Sequence, residues 1–121
     1  MQLMADFSEE QGRHEGLGWL GGAVRKLERD QDSAIRIPHV GWNEVELQES
    51  LGDLRAGERP NFYFDHSFAY DAPTRGTEVG SCTHGRRFSA ILRRDNIVAV
   101  QFHPEKSQTA GMRLLRSFFA M

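Results

Sequence analysis

The sequence has little of several features that mark particular protein classes. A single cysteine, Cys82, excludes a disulfide within these 121 residues and fits a reducing compartment. Lys and Arg number 15 against 17 Asp and Glu, a formal net charge of −2, with no basic stripe of the kind that binds nucleic acid. No apolar run approaches the ~20 residues of a transmembrane helix, and no signal-peptide pattern opens the chain. The composition therefore predicts a cytoplasmic protein with neither a nucleic-acid nor a membrane partner.

The length and the first residues indicate a partial domain. At 121 residues the chain is one domain at most, since domains commonly run to about 100–150 residues. Residues 2–8 have an amphipathic helical pattern, with no strand or cap before it. A domain seldom begins inside a helix, so we expect residues 1–121 to be a fragment or to follow a misplaced start.

Apolar alternation and aromatic residues predict a series of strands. Residues 38–43 are rich in turn formers and predict a link that leads into an extended segment at 44–47. Residues 93–96 predict a hairpin turn between the last two strands. The predicted strands are residues 23–27, 35–38, 61–68, 88–92 and 97–102.

A final helix is predicted near the C-terminus. Thr109 is a suitable cap, and Met112, Leu115, Phe118 and Phe119 would lie along one apolar face. A first helix, meandering strands and a strand followed by a terminal helix suit the second half of a mixed α/β sheet. They suit a self-contained fold poorly, because few parallel strands are present for helices to cover.

The most informative segment is Phe102–Ser107, which follows the apolar strand pattern Ile97–Val100. Side chains alternate along extended backbone, so His103 and Glu105 are predicted to point the same way across Pro104. Proline stops a strand inside a sheet, which places the pair at a strand end, where open α/β sheets bind ligands. An imidazole held by a carboxylate is the base-and-orienter half of a nucleophile–base–acid triad. The segment therefore predicts a catalytic pair whose nucleophile has still to be found.

Four short blocks in the chain carry a family signature. They are Gly16–Trp19 (GLGW), Pro38–Asn43 (PHVGWN), Tyr63–Phe68 (YFDHSF) and Phe102–Ser107 (FHPEKS). Together they resemble class I (triad-type) glutamine amidotransferases, and among these the glutaminase subunits of imidazole glycerol phosphate synthase. The resemblance covers nearly all 121 residues. It implies an α/β fold, the C-terminal half of a flavodoxin-like mixed sheet flanked by helices, with residues 1–121 a partial amidotransferase domain.

The resemblance implies a reaction and a role for each member of the pair. His103 would be the general base that takes the proton of a thiol and returns it to departing ammonia. Glu105 would hold the tautomer of that imidazole and stabilise its charged form. The thiolate would attack the carboxamide of glutamine, and a glutamyl thioester would then be hydrolysed without any cofactor or metal. Ammonia would pass through a tunnel to a (β/α)8-barrel cyclase subunit, the heterodimer partner in histidine biosynthesis.

The resemblance also implies the contacts with glutamine. Met1–Leu3 is similar to the end of the family's nucleophile elbow, where Gln2 would contact the substrate. Glu10 would lie near the α-amino group. The backbone of Ser67 and Phe68 would bind the other end of the substrate.

Two departures from the family pattern leave alternatives open. The nucleophilic cysteine would lie three residues before Met1, and the oxyanion loop further upstream, so we expect the chain as given to be inactive. The family often has an aromatic residue where this chain has His84. One alternative is a non-catalytic remnant that still docks on the cyclase. Another is a paralogous amidotransferase that supplies ammonia for the amidination of surface polysaccharides.

Three further residues have more than one interpretation. Cys82 is predicted to be a structural residue in a turn, because no helix N-terminus lowers its pKa there. His39 and His66 could bind a metal with His103, but the sequence lacks the short Cys/His spacing of zinc sites. We expect His39 to be structural and His66 to line the glutamine site or a partner interface.

Overall fold

The computed structural model of the chain describes residues 1–28 and 35–120. These residues form ten strands, one α-helix and two short 3₁₀ helices at Gln2–Met4 and Pro104–Lys106. The α-helix, α1, covers Gln108–Phe119. The strands are β1 (Phe7–Ser8), β2 (His14–Glu15), β3 (Ala23–Lys26), β4 (His39–Glu44), β5 (Glu46–Leu47), β6 (Asn61–His66), β7 (Phe68–Asp71), β8 (Glu78–His84), β9 (Arg86–Arg94) and β10 (Ile97–Val100).

Strand β9 is the centre of an eight-stranded mixed sheet. The order is β2-β1-β3-β7-β9-β8-β5, and β10 also pairs with β9. Strands β1 and β3 are parallel, whereas β9 is antiparallel to β7, β8 and β10. Residues 88–92 of β9 are buried on both faces of the sheet, which explains their continuous run of small and apolar side chains. This mixed sheet with its C-terminal helix confirms the predicted α/β class.

Strands β4 and β6 form a separate two-stranded antiparallel sheet with one buried and one exposed face. On β6, Phe62, Phe64 and His66 point inward and alternate with more exposed residues. On β4, Val40 and Trp42 lie on the outer face and are about half exposed (55% and 49%). The small sheet therefore supplies aromatic core residues on one side, and on the other side an exposed face where Val40, Trp42 and Tyr63 lie among Glu44, Asn61 and Asp65.

The inner face of β6 packs against the segment that carries His103. The Phe62 and Phe102 rings stack with centroids 3.8 Å apart, and both side chains are buried. Phe64 contacts Phe102 edge-on, with centroids 5.7 Å apart. This aromatic packing fixes the position of Phe102, and the next residue is His103.

The hairpin of β9 and β10 confirms the two strands predicted there. The strands pair from Ile97–Arg94 to Val100–Ile91, so the turn is residues 95–96, and Arg93 and Arg94 of the predicted turn belong to β9. The predicted strands at 23–27 and 61–68 are also present, the second one interrupted at Ser67. No helix among the described residues is long and apolar enough to cross a membrane.

The N-terminal segment is not the helix that its pattern predicted. Residues 2–4 form one 3₁₀ turn, after which Ala5 is extended (φ −70°, ψ 166°). The Asp6 N–H donates to the Gly22 carbonyl and the Glu9 N–H to the Val24 carbonyl. These bonds to β3 draw residues 7–8 into a parallel ladder, and tertiary pairing thereby overrides the local helical periodicity.

The prediction for residues 35–43 was also wrong. Residues 35–38 are in no strand, and the ladder begins one residue later, at His39, since Pro38 has no N–H to donate. The expected link at 38–43 is strand β4, which pairs with β6 over six residues. Of the extended segment at 44–47, Glu46–Leu47 pairs with β8 as β5.

Helix α1 begins earlier than predicted and presents a different face to the core. Its N-cap is Ser107, so Thr109 lies inside the first turn. The buried residues are Gly111, Leu114 and Ser117, whereas Met112, Phe118 and Phe119 of the predicted face are exposed. Gly111 lies against the Pro104 carbonyl and Ser117 against Gly52. Because these residues are small, the face that carries them can pack closely on the two loops, and this is the face that is buried.

Candidate active site

His103 and Glu105 lie in a turn just after β10. The His103 backbone is extended, and the 3₁₀ helix Pro104–Lys106 then reverses the chain. The distance from His103 Nδ1 to Glu105 Oε1 is 2.8 Å. The two side chains therefore meet as predicted, but through a 3₁₀ turn and not through the alternation of an extended segment.

Backbone contacts with β6 hold this turn in place. The His103 N–H donates to the Tyr63 carbonyl at 2.9 Å. The Ser107 hydroxyl donates to the His103 carbonyl at 2.6 Å and accepts the Tyr63 N–H at 3.0 Å. Ser107 is buried, so its two hydrogen bonds are protected from water. Both the N–H and the carbonyl of His103 are therefore held by hydrogen bonds.

The electrostatics of the pair suit a general base. Two hydrogen bonds lower the pKa of Glu105. The larger effect comes from the backbone N–H of Glu105 itself, and the next from the His103 side chain. A charged carboxylate only accepts, so His103 Nδ1 carries the hydrogen and Nε2 has the lone pair. The His103 side chain is 40% exposed, which leaves Nε2 accessible to a reacting group. The pair can therefore accept a proton at Nε2 and stabilise the imidazolium that results.

Gln2 is held between two segments that approach from distant parts of the chain. Its Nε2 donates to the Phe68 carbonyl at 2.9 Å and to Gln101 Oε1 at 3.1 Å. Both N–H donors of this carboxamide are thus used, and Oε1 is the atom that can accept from a ligand. The sequence reasoning missed Gln101, although it precedes His103 by two residues and so belongs to the same side of an extended segment.

The backbone at Ser67 and Phe68 has a defined direction. The Leu27 N–H donates to the Ser67 carbonyl at 2.8 Å, which continues the β3–β7 ladder. In an antiparallel ladder the next residue directs its N–H and carbonyl away from that partner strand. Phe68 therefore presents both groups on the side where Gln2 lies.

Glu10 joins this neighbourhood through a surface cleft. Gln2 and Glu10 line the same cleft of about 200 Å³, together with Ser8 and His14. The Glu10 N–H donates to the Ser8 hydroxyl at 3.2 Å, which shapes the loop after β1. Glu10 thus shares a cleft with Gln2, and hydrogen bonds join Gln2 to Phe68 and to Gln101. The roles of these residues toward glutamine stay predictions.

Cys82 is unsuited to act as a nucleophile. It lies within strand β8 and not in the predicted turn, because residues 78–84 pair with β9 up to His84. The thiol is buried, and burial raises the pKa of Cys82 to about 12. A thiol that stays protonated is unreactive, which agrees with the structural role expected for this residue.

His39 and His66 contact each other and not His103. The distance from His39 Nδ1 to His66 Nε2 is 2.9 Å, and both residues are buried. His39 also stacks on His84 with ring centroids 4.0 Å apart. Within residues 1–28 and 35–120, no group of His, Cys, Asp or Glu side chains is arranged to hold a metal ion. Burial, and then the charges of the neighbouring histidines, lower the pKa of His39 to about 3.

This burial predicts a loss of stability in mild acid. Between pH 7 and 5 the unfolded chain takes up a proton at His39, whereas the folded chain does not. A native pKa below the unfolded value means that stability is present above pH 6.5 and is lost as the pH falls. We expect the free energy of unfolding to be about 2 kcal/mol lower at pH 5 than at pH 7 because of His39, and His66 to add to this loss. Urea titrations at both pH values measure it.

A pair of variants isolates that effect. His39→Asn removes the titrating group and is expected to reduce the difference between pH 7 and pH 5 by about 2 kcal/mol. His14→Gln, which removes an exposed histidine outside the buried cluster, is the matched control. Equal pH dependence in wild type and His39→Asn would contradict the prediction.

Comparison with known proteins adds independent information. A family model described as "Glutamine amidotransferase class-I" matches residues 1–121. Curated proteins from three bacteria, each named "Imidazole glycerol phosphate synthase subunit HisH", are similar to the chain. The protein of Rhodospirillum rubrum is 44% identical over 120 residues, which cover 98% of this chain and 56% of the relative.

The other two relatives give the same picture. The protein of Zymomonas mobilis is 46% identical over 119 residues, covering 98% of this chain and 54% of the relative. The protein of Azospirillum brasilense is 44% identical over 121 residues, covering 98% and 62%. The chain thus spans a little over half the length of the curated relatives it matches.

Proposed function

The chain belongs to the class-I glutamine amidotransferase family, and from that premise we propose that it carries the general base of a glutaminase subunit of imidazole glycerol phosphate synthase. The observation that carries the proposal is the 2.8 Å contact between His103 Nδ1 and Glu105 Oε1 at the end of β10. The relatives' names support the assignment to this particular synthase.

The proposed reaction is the hydrolysis of glutamine to glutamate and ammonia. His103 Nε2 removes the proton of a cysteine thiol, and the thiolate forms a bond to the carboxamide carbon of glutamine. The carbon–nitrogen bond then breaks, and His103 returns the proton to the departing ammonia. Water, activated at the same nitrogen, hydrolyses the thioester.

The thiol in this scheme is not that of Cys82. Its burial and its raised pKa, about 12, keep it protonated. We therefore expect the 121 residues by themselves not to hydrolyse glutamine, since Cys82 is their one cysteine. The nucleophile and the oxyanion donors would come from residues outside this sequence.

The proposed substrate contacts follow from the free groups around Gln2. The Phe68 N–H, on the same side as its carbonyl, can donate to the α-carboxylate of glutamine. Glu10 supplies a negative charge for the α-ammonium group, and Gln2 Oε1 can accept one of its hydrogens. This arrangement would leave the carboxamide end of glutamine to reach the His103 segment.

The outer face of the β4–β6 sheet is the proposed surface for the cyclase subunit, a (β/α)8 barrel by family resemblance. Val40 and Trp42 are about half exposed there, and Trp42 contacts Tyr63 edge-on with centroids 6.0 Å apart. Aromatic residues are enriched at the centres of interfaces. The backbone of Tyr63 bonds to His103 and Ser107, so a partner on this face would lie next to the catalytic turn.

The experiment that tests the proposal begins with the polypeptide purified from its own cells. Its intact mass is compared with the 13.8 kDa of these 121 residues, and glutamate release from glutamine is assayed with and without the cyclase. We expect glutaminase activity that rises with the cyclase, from a polypeptide of larger mass. Cyclase binding without glutamate release would favour the docking-remnant alternative. Activity without a response to the cyclase would favour the polysaccharide paralogue.

A further inference from the structure

A chain of hydrogen bonds through two buried histidines ends at the carbonyl that holds Gln2. His66 Nδ1 lies 2.8 Å from the Phe68 carbonyl, and His39 Nδ1 lies 2.9 Å from His66 Nε2. At the far end, Asn43 Nδ2 lies 3.3 Å from His39 Nε2. None of these imidazoles has a part in the proposed proton transfers, so the arrangement needs another explanation.

Hydrogen-bond chemistry gives the chain one direction. A carbonyl only accepts, so His66 Nδ1 donates to Phe68, and in the neutral ring Nε2 must then accept. His39 Nδ1 is the donor to that nitrogen, which leaves His39 Nε2 to accept from the Asn43 amide. Asn43 uses its amide also on the Thr83 carbonyl at 3.0 Å, which anchors the chain on β8.

The surroundings of the two rings keep them neutral. Burial is the largest cause that lowers the pKa of both His39 and His66. The charges of His84 and His66 also lower the pKa of His39. For His66, the hydrogen bond to the Phe68 carbonyl and the charge of Asp65 oppose burial and raise the pKa, whereas the charges of His84 and Arg86 lower it. Protonation of either ring would turn an accepting nitrogen into a donor and break the chain.

The Phe68 carbonyl is the point where this chain meets the substrate contacts. It accepts from His66 and from Gln2, at 2.8 and 2.9 Å. Phe68 is the first residue of β7, and its carbonyl points away from β3, so the ladder to that strand does not fix it. His66 therefore supplies an orienting bond at a position where pairing with β3 does not.

We propose that His39 and His66 are positioning residues, a directed pair of neutral imidazoles that fixes the Phe68 backbone and the Gln2 carboxamide for binding glutamine. The inference rests on the proposed function and deepens it, because it assigns two residues to substrate affinity and not to chemistry. Loss of the pair raises KM for glutamine and leaves kcat nearly unchanged.

Paired variants at position 66 test this in the native polypeptide. His66→Phe keeps an aromatic ring but removes the donor, and we expect KM to rise about fivefold with kcat within about twofold. His66→Asn places an amide nitrogen near the position of Nδ1, and we expect its KM to be close to that of the wild type. His84→Phe is the matched control, since it keeps the stack on His39 without being a member of the hydrogen-bond chain. Equal KM values for the Phe and Asn variants would overturn the proposal.

A spectroscopic measurement tests the same inference without any activity. Two-bond proton–nitrogen correlation spectra identify the tautomer of each ring, and we expect the Nδ1–H form for His39 and His66 at pH 7. We also expect His66→Phe to shift the side-chain amide signals of Gln2. An Nε2–H form at His66 would overturn the positioning role even if the polypeptide is a glutaminase. The expected tautomers without glutaminase activity would instead count against the proposed function alone.

Discussion

Replacing His103 with alanine is expected to lower kcat for glutamine hydrolysis by about 10³–10⁴-fold in the native polypeptide. The reason is the geometry of the turn after β10, where the imidazole is the group that can accept a proton and Glu105 selects its tautomer. KM for glutamine is expected to change little, because the proposed substrate contacts are made by Gln2, Glu10 and Phe68. Steady-state glutamate release measures both constants.

Two further variants serve as comparisons for the loss of kcat in His103→Ala. Glu105→Gln keeps the size of the side chain but removes the charge that stabilises the imidazolium, so we expect a smaller loss of kcat than for His103→Ala. Arg116→Ala changes an exposed residue in the last turn of α1 and is expected to leave kcat unchanged. A loss of less than tenfold in His103→Ala would exclude a general base at this position.

Replacing Gly111 with alanine is expected to destabilise the fold by about 3 kcal/mol, although alanine favours helix by about 1 kcal/mol over glycine. A Cβ at position 111 would overlap the carbonyl oxygen of Pro104 and would lie 3.2 Å from Ser107 Cβ. The turn that carries Glu105 or the helix itself must then move. We therefore expect the free energy of unfolding and kcat to fall together.

The measurement decides whether Gly111→Ala lowers or raises the free energy of unfolding. Urea unfolding of Gly111→Ala is compared with that of Met112→Ala, a substitution in the same helix at a residue that is 51% exposed. We expect Met112→Ala to cost less than about 0.5 kcal/mol. A Gly111→Ala protein more stable than the wild type would mean that helix propensity outweighs the contact with Pro104.

The parts of the fold that could be predicted from the sequence are those determined by local patterns. Strands β9 and β10 are continuous apolar runs joined by two residues, so their pairing depends on neighbours in the chain. The contact of His103 with Glu105 joins residues two positions apart, and the 3₁₀ turn at Pro104–Lys106 makes it locally. Such features require no knowledge of distant segments.

The parts that were missed are determined by distant partners. Pro38 precedes strand β4 and Gly41 lies within it, and both residues locally favour turns, but β6 pairs with β4 from more than twenty residues later in the chain. The buried face of α1 is set by the approach of Gly111 to Pro104 and of Ser117 to Gly52, and apolar periodicity carries no sign of either. Gln101 was missed for the same reason, since its partner is Gln2.

The hydrogen bonds of the candidate site have a consequence for the order in which the protein folds. Gln2 is 66 residues from Phe68 and 99 from Gln101 in the chain, and Tyr63 is 44 from Ser107. The meander of β8, β9 and β10 closes only short loops, which lose little chain entropy. The meander can therefore form early as a template, whereas the site assembles only when the most distant segments have met.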